Sequence, residues 1–422
     1  MINNSLFKLI LLFPFFILKV GNCYATEKKL LVKHATIAGI LNVKDAGAAG
    51  DGIHDDTKAI CEAMRQARSN GISSVYFPAG KYLIKEHGDK PGIIKLLNGI
   101  SLIGAGVANC HIILSGGRTN PNSIFYQAWW EEPSINNIVI DGIDFDGNLA
   151  KQKYDPEYQF CHALSINNGK NIEVKNCKFQ SFRGDGLLFG DTFEQTLNAR
   201  IVTNVAVHNC IFFNIYREGT MFCCVNGASF YDNLVHGNGY LVGGVDIERH
   251  SANESVVNVS VYNNLFNFRD GFGPVERGEV IKYRRAVTIG YFYDGYKNGT
   301  ADSLSGNHKV YGNKIYQGQI DCFGHINVNI TANIIINTFE NLKGVLHVST
   351  PAINVSDART TVGLANVKVD SNYIKSTIPG NGIVFYKYQG ISSRHNILRG
   401  KNLGGVMLIN SKGDVDLNIS KN

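Results

Sequence analysis

Tryptophan, methionine and proline are scarce: 2, 4 and 9 residues in a chain of 422. Charged residues make up 18%, below the roughly 25% of an average soluble domain. No stretch beyond residue 25 approaches the ~18 apolar residues of a membrane-crossing helix. The hydrophobic share of 44% is ordinary, so neither a polytopic membrane protein nor an intrinsically disordered chain fits. Nine cysteines are present, none in a C-x-x-C spacing, which removes the usual zinc modules. Helix formers thin out beyond residue 70, which argues against an ordinary α/β enzyme. The formal net charge of +6 admits an acidic polymer as ligand but is no nucleic-acid footprint. What the chain has in excess is glycine, 45 residues, and a comparable wealth of asparagine.

Residues 1–25 read as a signal peptide. Lys8 precedes a short apolar run from Leu9 to Leu18, and Ala25 is the small residue expected at a cleavage site. The expectation is a secreted or periplasmic chain without stable membrane insertion.

A register recurs along the rest. Asn171-Ile-Glu-Val-Lys-Asn-Cys177-Lys-Phe179 is followed by matching segments starting at Asn204, Asn258, Asn327 and Asn366, with weaker copies at Asn137, Gly227, Asn307 and Gly390. Each begins with alternating apolar and polar residues, the period of a strand with one buried face. Six residues into each copy the column reads Ile143, Cys177, Cys210, Asn233, Asn264, Asn313, Asn333, Asn372, Asn396. Two residues further it is uniformly apolar, from Phe145, Phe179 and Phe212 to Leu398. Such columns arise when parallel coils stack about 4.8 Å apart, so that amides of successive turns bond to one another. The fold class expected is all-β: a single-stranded right-handed parallel β-helix, a solenoid. Copies start 20 to 49 residues apart; the shortest spacing is a bare coil, and the excess marks loops within 146–168, 190–203, 268–306 and 349–363. An N-terminal cap with the first coils is expected over 26–115 and the main solenoid over 116–422.

Residues 50–60, Gly-Asp-Gly-Ile-His-Asp-Asp-Thr-Lys-Ala-Ile, precede a helical pattern whose apolar face is Ala59, Ile60, Ala63, Met64 and Ala67. Val75-Tyr-Phe-Pro-Ala-Gly-Lys-Tyr-Leu-Ile84 reads as two strands about a turn. An open solenoid end needs a cover, which a short amphipathic helix supplies. With these motifs the chain resembles the pectin-lyase-like superfamily of right-handed parallel β-helices, in the branch with a rhamnogalacturonase/epimerase-like (pectate lyase 3) N-terminus. The resemblance implies the fold over the whole mature chain. It leaves the chemistry open among polysaccharide lyases, glycoside hydrolases, uronate epimerases and phage tailspikes. Asp51, Asp55 and Asp56 read as a capping turn rather than a catalytic cluster. The polygalacturonase series is missing, and Asp155-Pro156-Glu157 lacks the histidine of the mannuronan-epimerase Asp-Pro-His-Glu motif.

A second set of columns is anchored on Gly186, Gly219, Gly244, Ala286, Gly344, Gly382 and Gly405. Residues one and three later are mostly apolar and face in, so those two and four later face out, among them Asp246 and Glu248. The residue before each anchor adds Asp185, Glu218, Arg285 and Lys343. Two carboxylates at i and i+2 stand about 6.6 Å apart at the backbone, within the range of an inverting glycosidase pair. Crowding would separate their pKa values into an acid and a base. The candidate catalytic residues are therefore Asp246, Glu248, Glu218 and Asp185. Arg285, Lys282, Arg284, Lys343, Tyr283 and His250 are candidates for binding an acidic polysaccharide. The bland alternative is a solvated outer face with stacked opposite charges.

Three functions follow. The first is a glycoside hydrolase using the Asp246/Glu248 pair and no cofactor. The second is a lyase or C5-epimerase in which Lys282, Arg285 or a tyrosine takes the proton beside a uronate carboxylate, with Ca²⁺ on Asp185, Glu218 and Asp246 if a metal is used. The third is a non-catalytic carbohydrate-binding β-helix. A monomer or a homotrimer is compatible with all three.

Overall fold

A computed structural model describes residues 39–87, 92–127, 134–153, 158–190, 201–237, 243–250, 254–269, 285–291, 305–338, 351–356, 363–401 and 403–416. The chain winds as a right-handed parallel β-helix. Each full coil contributes three strands rather than the two legible in the sequence, so the described residues build three long parallel sheets. The first runs over 14 strands from Ile40–Asn42 to Lys412–Val415. The second takes 12 strands from Asp51–Asp55 to Ile397–Arg399, and the third 11 from Gly92–Lys95 to Leu403–Ile409. All three pass residue 115 without interruption.

The asparagine excess has a backbone explanation. Every copy of the repeat starts on a residue with left-handed φ, among them Asn137 (+56°), Asn171 (+57°), Asn204 (+55°), Gly227 (+80°) and Asn258 (+60°). Asn and Gly enter that region at least cost. The residue is skipped in the strand pairing, Lys170 facing Thr203 and Ile172 facing Val205, which makes it a bulge at the same corner of each coil. Its exposed amides also bond along the stack, as Asn204 Nδ2 donating to Asn171 Oδ1 at 2.7 Å.

Six residues on, the column predicted as a ladder is one. Asn264 Oδ1 accepts the backbone N–H of Asn233 at 3.0 Å and its Nδ2 at 3.1 Å, and Asn264 Nδ2 donates to Asn313 Oδ1 at 2.9 Å. The pattern continues through Asn333 and Asn372 to Asn396, all of them buried. Cys177 and Cys210 occupy the rungs before it as free, buried thiols. Their Sγ atoms approach Ile140 O and Val174 O, the job that Asn233 Nδ2 does for Val207 O. Inside, Phe145, Phe179 and Phe212 stack with centroids 5.2 and 5.1 Å apart.

Helix Thr57–Ser69 buries Ile60, Ala63, Met64 and Ala67 on the first coils, with Ala59 packed at its margin. The three acidic residues before it serve structure. Asp56 accepts from Ala49 N at 2.6 Å and from Leu83 N, and Asp55 Oδ1 accepts from Thr57 N at 3.1 Å. Asp51 Oδ1 accepts from Ile53 and His54 N.

Candidate functional site

The third sheet carries the predicted face. Leu187, Thr220, Val245, Val287, Ile320, Ile353, Ile383 and Val406 align as its inward row. The small residues just before them let the coils approach closely: a Cβ on Gly186 would stand 2.7 Å from Gly219 O. The order Gly186, Gly219, Gly244, Ala286 holds, but the next rungs do not follow the sequence reading. Strands Gln319–Phe323 and Ile353–Ser356 follow Arg285–Tyr291, and Ala352, not Gly344, is the small residue that precedes Gly382, donating its N–H to Gly382 O. Gln319 therefore occupies the place assigned to Lys343. Lys343 itself, with Lys282, Tyr283 and Arg284, lies outside the described residues. The 49-residue spacing from Asn258 to Asn307 broke the phase of the columns and hid this rung.

The site forms where Asp185, Glu218 and Asp246 rise on three successive rungs. They are not a solvated face: their exposures are 0%, 4% and 8%. Arg217, at the corner before Glu218 and not singled out in the sequence, has its Nε 3.5 Å from Asp185 Oδ1 and 3.3 Å from Glu218 Oε2. One guanidinium cannot neutralise three buried carboxyls, so protons must make up the difference. Burial presses Asp185 upward, but Arg217 and His162 outweigh it and hold Asp185 well below the carboxylate range. Glu218 is pushed well above that range by burial, against the attraction of Arg217 and with Asp185 adding to the rise. Asp246 is likewise raised by burial and then by Glu248, with Arg217, His250 and Arg285 opposing. The arrangement favours the ionised form of Asp185 beside Arg217 and the protonated forms of Glu218 and Asp246.

His162 is the second residue that the sequence did not reveal. It lies one coil below Asp185, accepts the Asp185 backbone N–H on Nδ1 at 2.8 Å, and stands 3.2 Å from Asp185 Oδ2. Glu248 is partly exposed, and His250 Nε2 lies 3.3 Å from Glu248 Oε2. Leu188, Met221 and Cys223 form a small buried apolar cluster on the outward side of the sheet, with Leu188 and Met221 in register with Asp246. One rung on, Arg285 Nε lies 2.9 Å from Asp321 Oδ2. Asp321, unforeseen in the sequence, is in register with Thr288 and through it with Asp246.

Calcium does not fit the trio suggested for it. Arg217 already supplies the positive charge among Asp185, Glu218 and Asp246, its Nε standing 3.5 Å from Asp185 Oδ1 and 3.3 Å from Glu218 Oε2, where a shared cation would have to sit. Among the described residues no group of three His, Cys, Asp or Glu side chains is placed to hold a metal ion. None of the described helices is long and apolar enough to cross a membrane.

Residues 40–265 match the family described as rhamnogalacturonase A/epimerase, pectate lyase-like. The chain belongs to that family. Among curated proteins it is 32% identical over 176 residues to mannuronan C5-epimerase AlgE3 of Azotobacter vinelandii, covering 41% of this chain and 9% of that protein. Alginate lyase 7 of the same organism is 28% identical over 201 residues, covering 47% and 22%. Plasmin and fibronectin-binding protein A of Streptococcus pneumoniae is 32% identical over 170 residues, covering 35% and 22%. The matches thus span only a minor part of these longer relatives. Among solved structures, the A-module of A. vinelandii mannuronan C-5 epimerase AlgE6 superposes with a TM-score of 0.60 at 17% identity, covering 90% of this chain and 100% of that one; this likeness bears on the fold.

Proposed function

We propose that the protein is a polysaccharide-active enzyme that exchanges or removes the C5 proton of a uronate unit, as an epimerase or a lyase. The observation that carries this reading is the buried group of Asp185, Glu218 and Asp246 with Arg217 against the first two and Arg285 on the next rung, where burial raises Glu218 and Asp246 toward the protonated form. C5 deprotonation drives negative charge onto the uronate carboxylate. Hydrogen-bond donors and cations placed there stabilise that charge in a site poor in water. The Glu248–His250 pair is the proton-moving group that the described residues offer. A lyase then expels the C4 substituent, and an epimerase returns a proton to the opposite face. The similarity to mannuronan epimerases and an alginate lyase supports this reading over hydrolysis. So does the enclosure of three of the four predicted catalytic carboxyls, which departs from two open carboxylates flanking a glycosidic bond.

Asp246→Asn separates the chemistries. In the C5 reading Asp246 serves as a neutral donor, so the amide retains a substantial part of the turnover. A hydrolase using Asp246 as proton donor would lose it by ~10² or more. The assay follows deuterium uptake at C5, absorbance of an unsaturated product and new reducing ends on uronate polymers. Reducing ends with neither deuterium uptake nor absorbance would refute the C5 reading, and binding without any turnover would leave a carbohydrate-binding protein.

Export is part of the proposal, supported by the Lys8–Ala25 pattern. An extracellular or periplasmic product that retains residues 1–25 would refute cleavage there.

A further inference from the structure

We propose that Arg285 selects substrates for a carboxylate, and that Asp321 is its positioning residue. This deepens the reading above and rests on it. Arg217 is committed to Asp185 and Glu218, with its side chain 17% exposed. Arg285 is different: its side chain is 35% exposed, while its partner Asp321 is 1% exposed. Asp321 Oδ2 meets Arg285 Nε at 2.9 Å and accepts from Gln319 Nε2 at 2.6 Å, so the carboxyl is itself fixed. Phe323, on the same strand, lies under the guanidinium with its centroid 5.7 Å from Cζ.

With Nε ion-paired to a fixed carboxyl and a ring 5.7 Å from Cζ, the guanidinium is steered so that its two terminal nitrogens can meet a planar anion. That fork matches a carboxylate in two parallel hydrogen bonds. The position is also right. Arg285 pairs with Gly243, three residues before Asp246 on the neighbouring strand, and is among the charges that act on Asp246. A carboxylate gripped there lies on the rung next to Asp246. Burying Asp321 away from water is costly, and what it gains here is a fixed Arg285.

The test compares binding of an oligouronate with binding of the same oligomer after carboxyl reduction, by calorimetry on the full-length protein. Arg285→Met should weaken the oligouronate by about tenfold or more, the loss of a charge-assisted bidentate contact, and leave the reduced oligomer unchanged. Arg285→Lys should fall between, since it keeps the charge and loses the fork. Asp321→Asn should raise KM for the uronate severalfold with little change in kcat and an unchanged far-ultraviolet circular dichroism spectrum. Equal weakening of both oligomers, or of neither, by Arg285→Met overturns the selection. A lower thermal midpoint with unchanged KM in Asp321→Asn overturns the positioning role. If uronate binding depends on Arg285 but no turnover occurs, the C5 chemistry falls and the selection stands. If turnover proceeds and Arg285→Met keeps the uronate preference, the reverse holds. A wild-type protein that neither binds nor turns over uronates overturns both.

Discussion

Replacing Asn313 by alanine tests the ladder at its centre. Asn313 Oδ1 accepts the backbone N–H of Asn264 at 3.0 Å and its Nδ2 at 2.9 Å; Asn313 Nδ2 donates to Val261 O and to Asn333 Oδ1, both at 2.9 Å. Truncation deletes all four bonds but orphans only some partners. Asn264 Nδ2 keeps Phe230 O and Tyr262 O, and Asn333 Oδ1 keeps the Asn313 backbone N–H. The Asn264 N–H loses its acceptor in a buried site. An orphaned buried donor costs about 1–3 kcal/mol and each of the three other bonds about 1 kcal/mol, so the loss should be about 4–6 kcal/mol, a large part of a typical stability of ~5–15 kcal/mol. Asn258→Ala is the control. Its amide is exposed, donating to Asn226 Oδ1 at 2.8 Å and accepting from Asn307 Nδ2; water can replace both bonds, so its main cost is alanine at φ +60°, about 1–2 kcal/mol. Because a solenoid need not unfold in one step, urea titration should be paired with amide hydrogen exchange at Asn264. Exchange at Asn264 should accelerate in Asn313→Ala. A penalty no larger than that of Asn258→Ala, or unchanged protection at Asn264, would refute the reasoning.

Arg217→Met should leave Asp185 as an uncompensated buried carboxylate and destabilise the protein by about 3–5 kcal/mol; an unchanged unfolding midpoint would contradict the pairing. Glu248→Gln should abolish deuterium uptake at C5 while binding of an oligouronate persists, and full turnover in that variant would remove Glu248 from the chemistry. The raised Asp246 is protonated below its elevated folded value, so activity that needs the neutral acid is lost as pH rises through that value; Asp246→Asn, which cannot ionise, should extend the alkaline limb. Val259 N donates to His308 Nδ1, His308 Nε2 faces His325 Nδ1 at 3.0 Å, and His325 Nε2 faces Gly290 O at 2.8 Å, a bond order that keeps His308 neutral. Burial and then His325 hold its pKa well below the usual value. The unfolded chain therefore binds the extra proton first, and stability should fall as pH drops below about 6.5, approaching about 1.4 kcal/mol per unit. A nuclear magnetic resonance titration placing His308 near its ordinary pKa would refute this.

The repeat was readable because its columns sit at fixed offsets within one strand and corner: the left-handed starts, the amide ladder and the phenylalanine stack need no knowledge of loop length. The same holds for Asp185, Glu218, Asp246 and Glu248, which lie at set distances from small residues on consecutive coils. The reading failed where phase was lost. Beyond the long insertion, Gly344 is as small as Ala352, and pattern alone could not choose between them, so Gln319 and Asp321 were passed over. Arg217 and His162 stand just outside strands, where the alternation that sorts inward from outward residues has not begun. Burial was illegible too, because outward from the sheet does not mean exposed when other groups cover that face.

The amide ladder has a consequence for how such a chain can change. Every amide-to-amide bond of the ladder runs in the same sense, toward the C-terminal neighbour, so no single amide can be turned over without setting donor against donor. A one-residue insertion between a left-handed start and its ladder asparagine would misplace one rung and orphan its neighbours. An insertion between the second sheet and the next coil's start leaves the ladder whole. Length variation is thereby steered to the corners that border the third sheet. The rigid side of the molecule thus leaves the carboxyl-bearing face free to diversify.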